Sequence, residues 1–200
     1  MLAKGLKAPV TKIITPFVNL LVRWKVSANA ISIIGAIGSA ISSLLTIPNG
    51  NFLFGAILIS AFTLFDLFDG AVARTSGSVQ SKLGAVLDST LDRISDYIIL
   101  LAAFMYFNTR DAQITWLLVI NMFLGFLVPY IRARAEANGI DCSIGIAERS
   151  ERLIILLIGI ASLANESTQI FKYTLYLLTL LSVITIGQRM VVVIKFGRIR

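Results

Sequence analysis

The chain contains no histidine and a single cysteine, Cys142, among its 200 residues. One cysteine cannot form an intrachain disulfide, and without histidine neither a Cys/His zinc site nor a Ser-His-Asp triad can be built. Any metal ion must therefore be held mainly by oxygen ligands, which suit Mg²⁺ or Mn²⁺ better than a softer ion. A general base in this protein is accordingly expected to be a carboxylate.

Charged residues are also scarce, at 14% of the chain, whereas 56% of the residues are apolar. The apolar residues gather into six segments, at roughly 30–47, 52–70, 84–107, 113–135, 150–165 and 169–192. Most of these runs are long enough for a helix to cross a bilayer. The sequence therefore predicts an all-α, polytopic membrane protein with six transmembrane helices in one bundle.

The segment before these runs has a different pattern. Residues 7–24 place apolar side chains at near-helical spacing, with Lys7, Lys12 and Arg23 off the main stripe. This pattern is typical of an amphipathic helix in the membrane interface. A secretory signal would need an uninterrupted apolar core, which Pro16 and the charges interrupt. We expect a single membrane domain over residues 1–200, divided into an amphipathic helix (1–28), a six-helix bundle (29–192) and a basic tail (193–200).

Basic residues give the chain a net charge of +7 and lie at the ends of the apolar segments. Interleaved membrane segments argue against the soluble basic face that a nucleic-acid partner would need, and favour anionic lipid headgroups and phosphate-bearing substrates. Basic residues precede the first segment and follow the sixth, and six crossings leave only Arg110 and Lys172 outside. The positive-inside rule therefore predicts that both termini are in the cytoplasm. We expect the membrane to be the plasma membrane.

Four aspartates interrupt this apolar sequence at helical spacing. Asp66 and Asp69 are three positions apart, and Asp88 and Asp92 are four apart, so each pair shares one helix face. Neighbouring carboxylates repel each other unless a cation joins them, and an ionisable group at membrane depth indicates a functional site. The aspartates therefore predict a site for one or two divalent ions at the cytoplasmic side. Paired ions recur in enzymes that catalyse displacement at phosphorus.

The segment that carries the aspartates resembles the signature of the CDP-alcohol phosphatidyltransferase family. The matching positions are Asp66-x2-Asp69-Gly70-x2-Ala73-Arg74, followed by Gly84-x3-Asp88-x3-Asp92. Nine residues, 75–83, separate the two halves where the family usually has eight, and this difference leaves both aspartate pairs intact. The six segments and the amphipathic N-terminal helix also match the family. The resemblance therefore covers nearly the whole chain.

Three further stretches, VSANAISIIG, PYIRARAEANG and GIAERSERL, resemble most the branch of this family that makes phosphatidylinositol phosphate. The resemblance implies CDP-diacylglycerol and inositol phosphate as substrates, and phosphatidylinositol phosphate and CMP as products. It also implies a homodimer that uses two Mg²⁺ or Mn²⁺ ions.

By the same resemblance, Asp66, Asp69 and Asp88 are metal ligands, and Asp92 is both a ligand and the acceptor of the proton from the attacking hydroxyl. The residues implied in binding CDP-diacylglycerol are Asn29, Ala30, Ile31, Ser32, Gly70, Arg74 and Ser81. Gly70 has no side chain and so permits a close approach to its backbone. The extra residue between the two halves of the motif affects chiefly the assignment of Ser81.

The acceptor phosphate needs cationic partners of its own. Arg132, Arg152 and Arg189 are the candidates, because each is expected at the cytoplasmic end of a different helix and guanidinium groups match phosphate oxygens. Arg134 and Arg149 are neighbours that could take the same role. Each of these arginines could equally be an ordinary topology signal.

The role of Asp96 stays open at this stage. Asp96, one turn beyond Asp92, either extends the site or pairs with Arg93 or with a cation on another helix. The amphipathic lead-in to the fifth segment, residues 148–152, is expected to belong to the fifth helix, because the apolar run after it is short.

Two other functions compete with the inositol phosphate transferase. The acceptor could be glycerol 3-phosphate, since a phosphate clamp serves both acceptors. Membrane carboxylates could also line the pathway of a cation transporter. Against the transporter, the acids cluster at one side of the membrane beside Arg74 and a glycine-rich hinge, residues 70–84, which connects the two aspartate pairs.

Overall fold

The structure is a computed structural model, and it describes residues 23, 27–65, 72 and 82–197. These residues form six α-helices and no β-strand, so the predicted all-α class is confirmed for the described part of the chain. The helices are α1 (Ala28–Thr46), α2 (Phe52–Thr63), α3 (Lys82–Phe107), α4 (Ala112–Ala137), α5 (Arg149–Ser162) and α6 (Thr168–Gly197), with a 3₁₀ turn (Leu163–Asn165) after α5.

The helices follow the apolar segments of the sequence closely. Five of them begin and end within about five residues of the predicted bounds. The helix α2 matches the start of its predicted segment and ends at Thr63, and the last residues of that segment, 66–70, lie outside the described residues. The polar lead-in belongs to α5, as expected, because that helix begins at Arg149. The amphipathic helix predicted for residues 1–28 lies almost entirely outside the described residues.

Three of the described helices are long and apolar enough to cross a membrane: α1, α4 and α6. The shorter α2 is also strongly apolar but has 12 residues. Charged residues in the first half of α3 and the 14-residue length of α5 keep these two helices out of that group. Length and composition therefore support a membrane protein without fixing six crossings.

The chain divides into two compact units, of which the first comprises residues 1–41 and 58–95. In this unit, small residues of α1 contact aromatic side chains from the end of α2. A Cβ atom on Gly38 would overlap the ring of Phe62, and one on Gly35 would come within 2.8 Å of Phe65 Cβ. The two glycines thus permit the close helix approach that small residues are known to allow in membranes.

The second unit comprises residues 42–57 and 96–200, and in it α4 and α5 both pack along α6. Phe107 stacks on the fully buried Phe171, with ring centroids 5.5 Å apart. Between α4 and α6, the buried Asn121 amide donates to the Leu175 carbonyl at 3.2 Å and to Thr179 Oγ1 at 2.9 Å. Hydrogen bonds of this kind join helices where apolar surfaces alone give little preference for one packing.

The turn between α3 and α4 is tied to the start of α6 by an ion pair. Asp111 caps α4 by accepting a hydrogen bond from the Ile114 N–H at 3.0 Å, and its other carboxylate oxygen lies 2.8 Å from Lys172 Nζ. The hydrogen bond from Lys172, followed by that from the Ile114 backbone, lowers the pKa of Asp111 below its ordinary value. The ionised carboxylate therefore stabilises the folded state.

The Asp111–Lys172 pair predicts a pH-dependent stability. Asp111→Asn should lower the melting temperature at pH 7 by about 2–4 °C, because asparagine keeps the helix cap and loses only an ion pair worth about 1 kcal/mol. A lowered pKa means that this contribution is complete above about pH 4, the unfolded value, and disappears as the pH falls through the folded value. Melting curves of both proteins in detergent should therefore converge below about pH 4. An unchanged difference at pH 3 would contradict this prediction.

Candidate active site

The described part of the aspartate motif lies on the first three turns of α3. Asp88 and Asp92 are both half-buried and are four positions apart, so they lie on one face of the helix, as their spacing predicts. Gly84, one turn before Asp88, is buried. The charged residues of α3 all lie at or before Asp96, and the helix is apolar from Ile98 to Phe107, so its acidic residues are confined to one half.

The other half of the motif cannot be placed. Asp66, Asp69, Gly70, Arg74 and Ser81 lie outside the described residues. Within the described residues, no three His, Cys, Asp or Glu side chains are grouped as metal ligands would be. The pair on α3 nevertheless supplies oxygen donors from two carboxylates on one helix face, which is the chemistry that Mg²⁺ and Mn²⁺ require.

The first turn of α1 contains four of the residues predicted to contact the donor lipid. Ser27 caps this helix, since its hydroxyl accepts a hydrogen bond from the Ala30 N–H at 3.2 Å. Asn29 and Ala30 are half-buried, whereas Ile31 and Ser32 are buried. The Ser32 hydroxyl donates to the Ala28 carbonyl at 3.2 Å. A helix N-terminus presents backbone N–H groups and a partial positive charge, both of which favour a phosphate.

Asp96 forms an ion pair with Arg149, the first residue of α5. Arg149 Nε lies 3.2 Å from each carboxylate oxygen, and Nη2 lies 3.1 Å from Oδ1. The sequence had left open whether Asp96 extends the metal site or pairs with a cation, and the structure shows a pair with a cation on another helix. Arg149, considered as a substitute in the phosphate clamp, is thus already bound to a carboxylate.

The same ion pair lines a cavity in the second unit. The cavity has a volume of about 50 Å³ that is accessible to water-sized molecules. Its walls combine polar and aliphatic groups from four helices: Asp96, Leu100, Asn121, Gly125, Arg149, Arg152, Leu153, Leu156, Leu178 and Ser182. Of the three arginines predicted to clamp the acceptor phosphate, Arg152 is the one that lines this cavity. An anion entering here would meet the Arg152 guanidinium beside the Asp96–Arg149 ion pair and aliphatic side chains, in a confined space where charge interactions are screened less than in water.

Arg132 lies on the surface near the end of α4. Its Nε is 2.7 Å from the Glu136 carboxylate, one turn along the same helix, and both side chains are nearly half exposed. An exposed pair of this kind contributes only about 0.3–0.5 kcal/mol. Arg132 can therefore exchange Glu136 for a phosphate at little cost.

Arg189 is buried and holds the loop between α4 and α5. Its Nε donates to the Ile144 carbonyl at 2.9 Å, and its Nη1 donates to the Val128 carbonyl, next to Pro129 in α4. These hydrogen bonds tie residues 138–148 to the body of the second unit. They give Arg189 a structural role that the sequence did not reveal, and its contact with an acceptor phosphate stays a prediction.

Two side chains that make structural hydrogen bonds, Asn121 and Glu151, were not recognised in the sequence as important. Asn121 is the single amide inside the apolar run WLLVINMFLGFLV. A polar residue within such a run indicates a specific role, and this pattern could have identified Asn121 from the sequence. Glu151 accepts a hydrogen bond from the Glu148 N–H at 3.1 Å and so fixes the start of α5. An acid three residues after the N-cap is a recognised helix-start signal.

Comparisons with known proteins agree with the motif. The model of the family described as CDP-alcohol phosphatidyltransferase matches residues 25–191. The phosphatidylinositol phosphate synthase of Mycobacterium marinum is 36% identical over 193 residues, covering 92% of this chain and 80% of that protein.

Crystal structures of the Mycobacterium tuberculosis phosphatidylinositol phosphate synthase are also similar to this chain. The structure with CDP-DAG bound has a TM-score of 0.84 and 35% identity, covering 91% of this chain and 94% of that chain. The structure in complex with manganese and citrate has a TM-score of 0.84 and 34% identity, covering 90% and 88%. The similarity therefore extends along nearly the full length of both proteins.

Proposed function

Because the chain belongs to the CDP-alcohol phosphatidyltransferase family, we propose that it transfers the phosphatidyl group of CDP-diacylglycerol to a hydroxyl of inositol phosphate. The products are phosphatidylinositol phosphate and CMP. The observation that carries this proposal is the near full-length similarity to phosphatidylinositol phosphate synthases, one of which has been crystallised with CDP-DAG bound. The family also argues against the cation transporter.

The reaction is a displacement at the phosphorus atom that carries diacylglycerol. The acceptor oxygen forms a bond to this phosphorus while the bond to the bridging pyrophosphate oxygen breaks, and CMP leaves with that oxygen and its electron pair. Asp92 accepts the proton of the attacking hydroxyl. Proton acceptance by a positioned side chain commonly contributes about 10²–10⁴-fold to the rate.

Asp66, Asp69, Asp88 and Asp92 are the residues that would hold divalent ions, and the manganese complex of the Mycobacterium tuberculosis protein supports a dependence on divalent metal. We propose two ions, with Mg²⁺ used and Mn²⁺ able to replace it. When bound, the ions supply positive charge that stabilises both phosphates of the donor. In the described half of this site, two half-buried carboxylates on one face of α3 fit that task.

The donor and the acceptor are bound by different sets of residues. Donor contacts are assigned to the start of α1 and to the hinge, at Asn29, Ala30, Ile31, Ser32, Gly70, Arg74 and Ser81. The acceptor phosphate is assigned to Arg132, Arg152 and Arg189. Among these three, Arg152 has the strongest support because it lines a cavity, and Arg132 has support because its ion pair is weak.

The protein is a membrane protein, and we propose that it crosses the plasma membrane six times. The arrangement has an interfacial helix over residues 1–28, a bundle over 29–192 and a tail over 193–200. Both termini and the site face the cytoplasm, where the basic residues cluster. Two copies are proposed to form a homodimer.

The assay that tests this function measures CMP release by purified protein in detergent with CDP-diacylglycerol and Mg²⁺. Inositol phosphate, glycerol 3-phosphate and free inositol are supplied in turn. We expect no release with free inositol, because the clamp requires a phosphate. Of the two phosphorylated acceptors we expect release with inositol phosphate, because the similar proteins are phosphatidylinositol phosphate synthases. Release only with glycerol 3-phosphate would refute the assigned acceptor and leave the family mechanism intact.

Replacing Arg152 by alanine should raise the KM for inositol phosphate by about 10–10²-fold, which corresponds to one charge-assisted hydrogen bond. The KM for CDP-diacylglycerol should change less than about twofold, because Arg152 is assigned to the acceptor alone. Arg110→Ala is the matched control, since Arg110 stacks on Tyr106 in the turn after α3 and does not line the cavity. An unchanged acceptor KM would remove Arg152 from the clamp.

A further inference from the structure

The ion pair between Asp96 and Arg149 joins residues 53 positions apart in the chain. Two nitrogens of the guanidinium contact the carboxylate, at 3.1–3.2 Å. The two side chains are mainly buried, with 20% of Arg149 and 28% of Asp96 exposed. A two-point contact between a planar guanidinium and a carboxylate fixes both distance and orientation.

The position of Arg149 in α5 explains why it needs this partner. It is the first residue of the helix, where the partial positive charge of the helix dipole disfavours a cation. Asp96 places a negative charge at that point, and Glu151 adds a second hydrogen bond at the same helix start. The beginning of α5 is therefore held by acids on two different helices.

The ion pair also determines the electrostatic surroundings of Arg152. Arg152 lies three positions after Arg149, so the two side chains project from the same face of α5, and both line the cavity. Without Asp96, two adjacent guanidinium groups in a confined space would repel each other and compete for one anion. With Asp96 present, the charge of Arg149 is balanced inside the cavity.

We propose that Asp96 is a positioning residue for acceptor binding: it neutralises and anchors Arg149, and so fixes the first turn of α5 with Arg152 directed at the acceptor phosphate. This inference rests on the proposed function, because the phosphate belongs to the acceptor of that reaction. It assigns Asp96 to the acceptor side of the reaction and leaves it outside the metal site.

The test compares Asp96→Asn with a charge exchange that combines Asp96→Arg and Arg149→Asp. Asp96→Asn should raise the KM for inositol phosphate by about 10–10²-fold, because a small displacement of a binding group is costly. The kcat should stay within about threefold and the KM for CDP-diacylglycerol within about twofold. The charge exchange should return the acceptor KM to within about threefold of the original value.

Two outcomes would overturn the proposal. An unchanged acceptor KM in Asp96→Asn would show that the pair does not position Arg152. A stable charge-exchange protein whose acceptor KM stays high would mean that Arg149 itself binds the phosphate. If the double variant does not fold, Asp96→Glu replaces it in the test. This variant keeps the negative charge and should have a lower acceptor KM than Asp96→Asn. Equal acceptor KM values in the two variants would overturn the proposal.

Asp111→Asn serves as the control, because it breaks an ion pair of the same unit away from the cavity. It should lower the melting temperature without changing the acceptor KM. Parallel assays with glycerol 3-phosphate separate this proposal from the assigned acceptor. If wild-type protein uses only glycerol 3-phosphate, the proposed function fails, and the KM comparison is made with that acceptor.

Should the wild type release no CMP at all, hydrogen exchange remains as a readout. Asp96→Asn should then accelerate amide exchange in the second turn of α5, and Asp111→Asn should not. Equal amide exchange rates in this turn for Asp96→Asn and Asp111→Asn would contradict the positioning role of Asp96.

Discussion

Asparagine in place of Asp92 is expected to lower kcat by about 10²–10⁴-fold while CDP-diacylglycerol still binds. The amide has the shape of the carboxylate but can neither accept the proton of the attacking hydroxyl nor contribute a negative charge to the ion site. Rates are measured as CMP release at saturating substrates. Donor binding is measured separately, as the rise in melting temperature on adding CDP-diacylglycerol.

Asp111→Asn is the matched control for this experiment, because it makes the same chemical change on a residue of the turn between α3 and α4. Its kcat should equal that of the wild type. Full activity in Asp92→Asn would remove the proton-accepting role. Loss of donor binding together with activity would instead make Asp92 a ligand whose charge is needed before any chemistry.

Removal of divalent ions with EDTA should lower CMP release by at least about 10³-fold, since the negative charge of the pyrophosphate would then be uncompensated. Addition of Mg²⁺ or Mn²⁺ should restore the rate. Asp88→Ala should raise the Mg²⁺ concentration needed for half-maximal activity by about tenfold or more, because one of four proposed carboxylates is lost. The measurement is a titration of activity against Mg²⁺ for each protein.

Ser89→Ala provides the comparison, since Ser89 is the exposed neighbour of Asp88 on α3 and its hydroxyl donates to the Val86 carbonyl at 3.0 Å. Its Mg²⁺ requirement should match that of the wild type. Undiminished turnover in EDTA would refute the metal dependence. A normal requirement in Asp88→Ala would exclude Asp88 as a ligand.

The arginines illustrate where sequence information ends. In the sequence, Arg132, Arg152 and Arg189 are equivalent, since each is a cation expected at a cytoplasmic helix end. The structure separates them: Arg132 is exposed beside Glu136, Arg189 is bound to two backbone carbonyls, and Arg152 lines a cavity. The environment of a side chain depends on which helices pack against it, and sequence spacing carries no such information.

The aspartates illustrate the opposite case. The spacing of Asp88 and Asp92 places both on one helix face wherever that helix lies, because helix geometry is local. The partner of Asp96 could not be derived in the same way. Arg93 and a cation on another helix were both possible, and the pair with Arg149 joins positions 53 residues apart.

The sequence by itself determined the all-α class of the described residues, the approximate bounds of their helices and the family, because run length, spacing and composition are properties of the linear chain. Only the tertiary structure decided that Asp96 binds Arg149, that Arg152 lines the cavity and that Arg189 holds a loop. Those contacts depend on the packing of distant helices, in which many weak interactions combine and no local pattern specifies the partners.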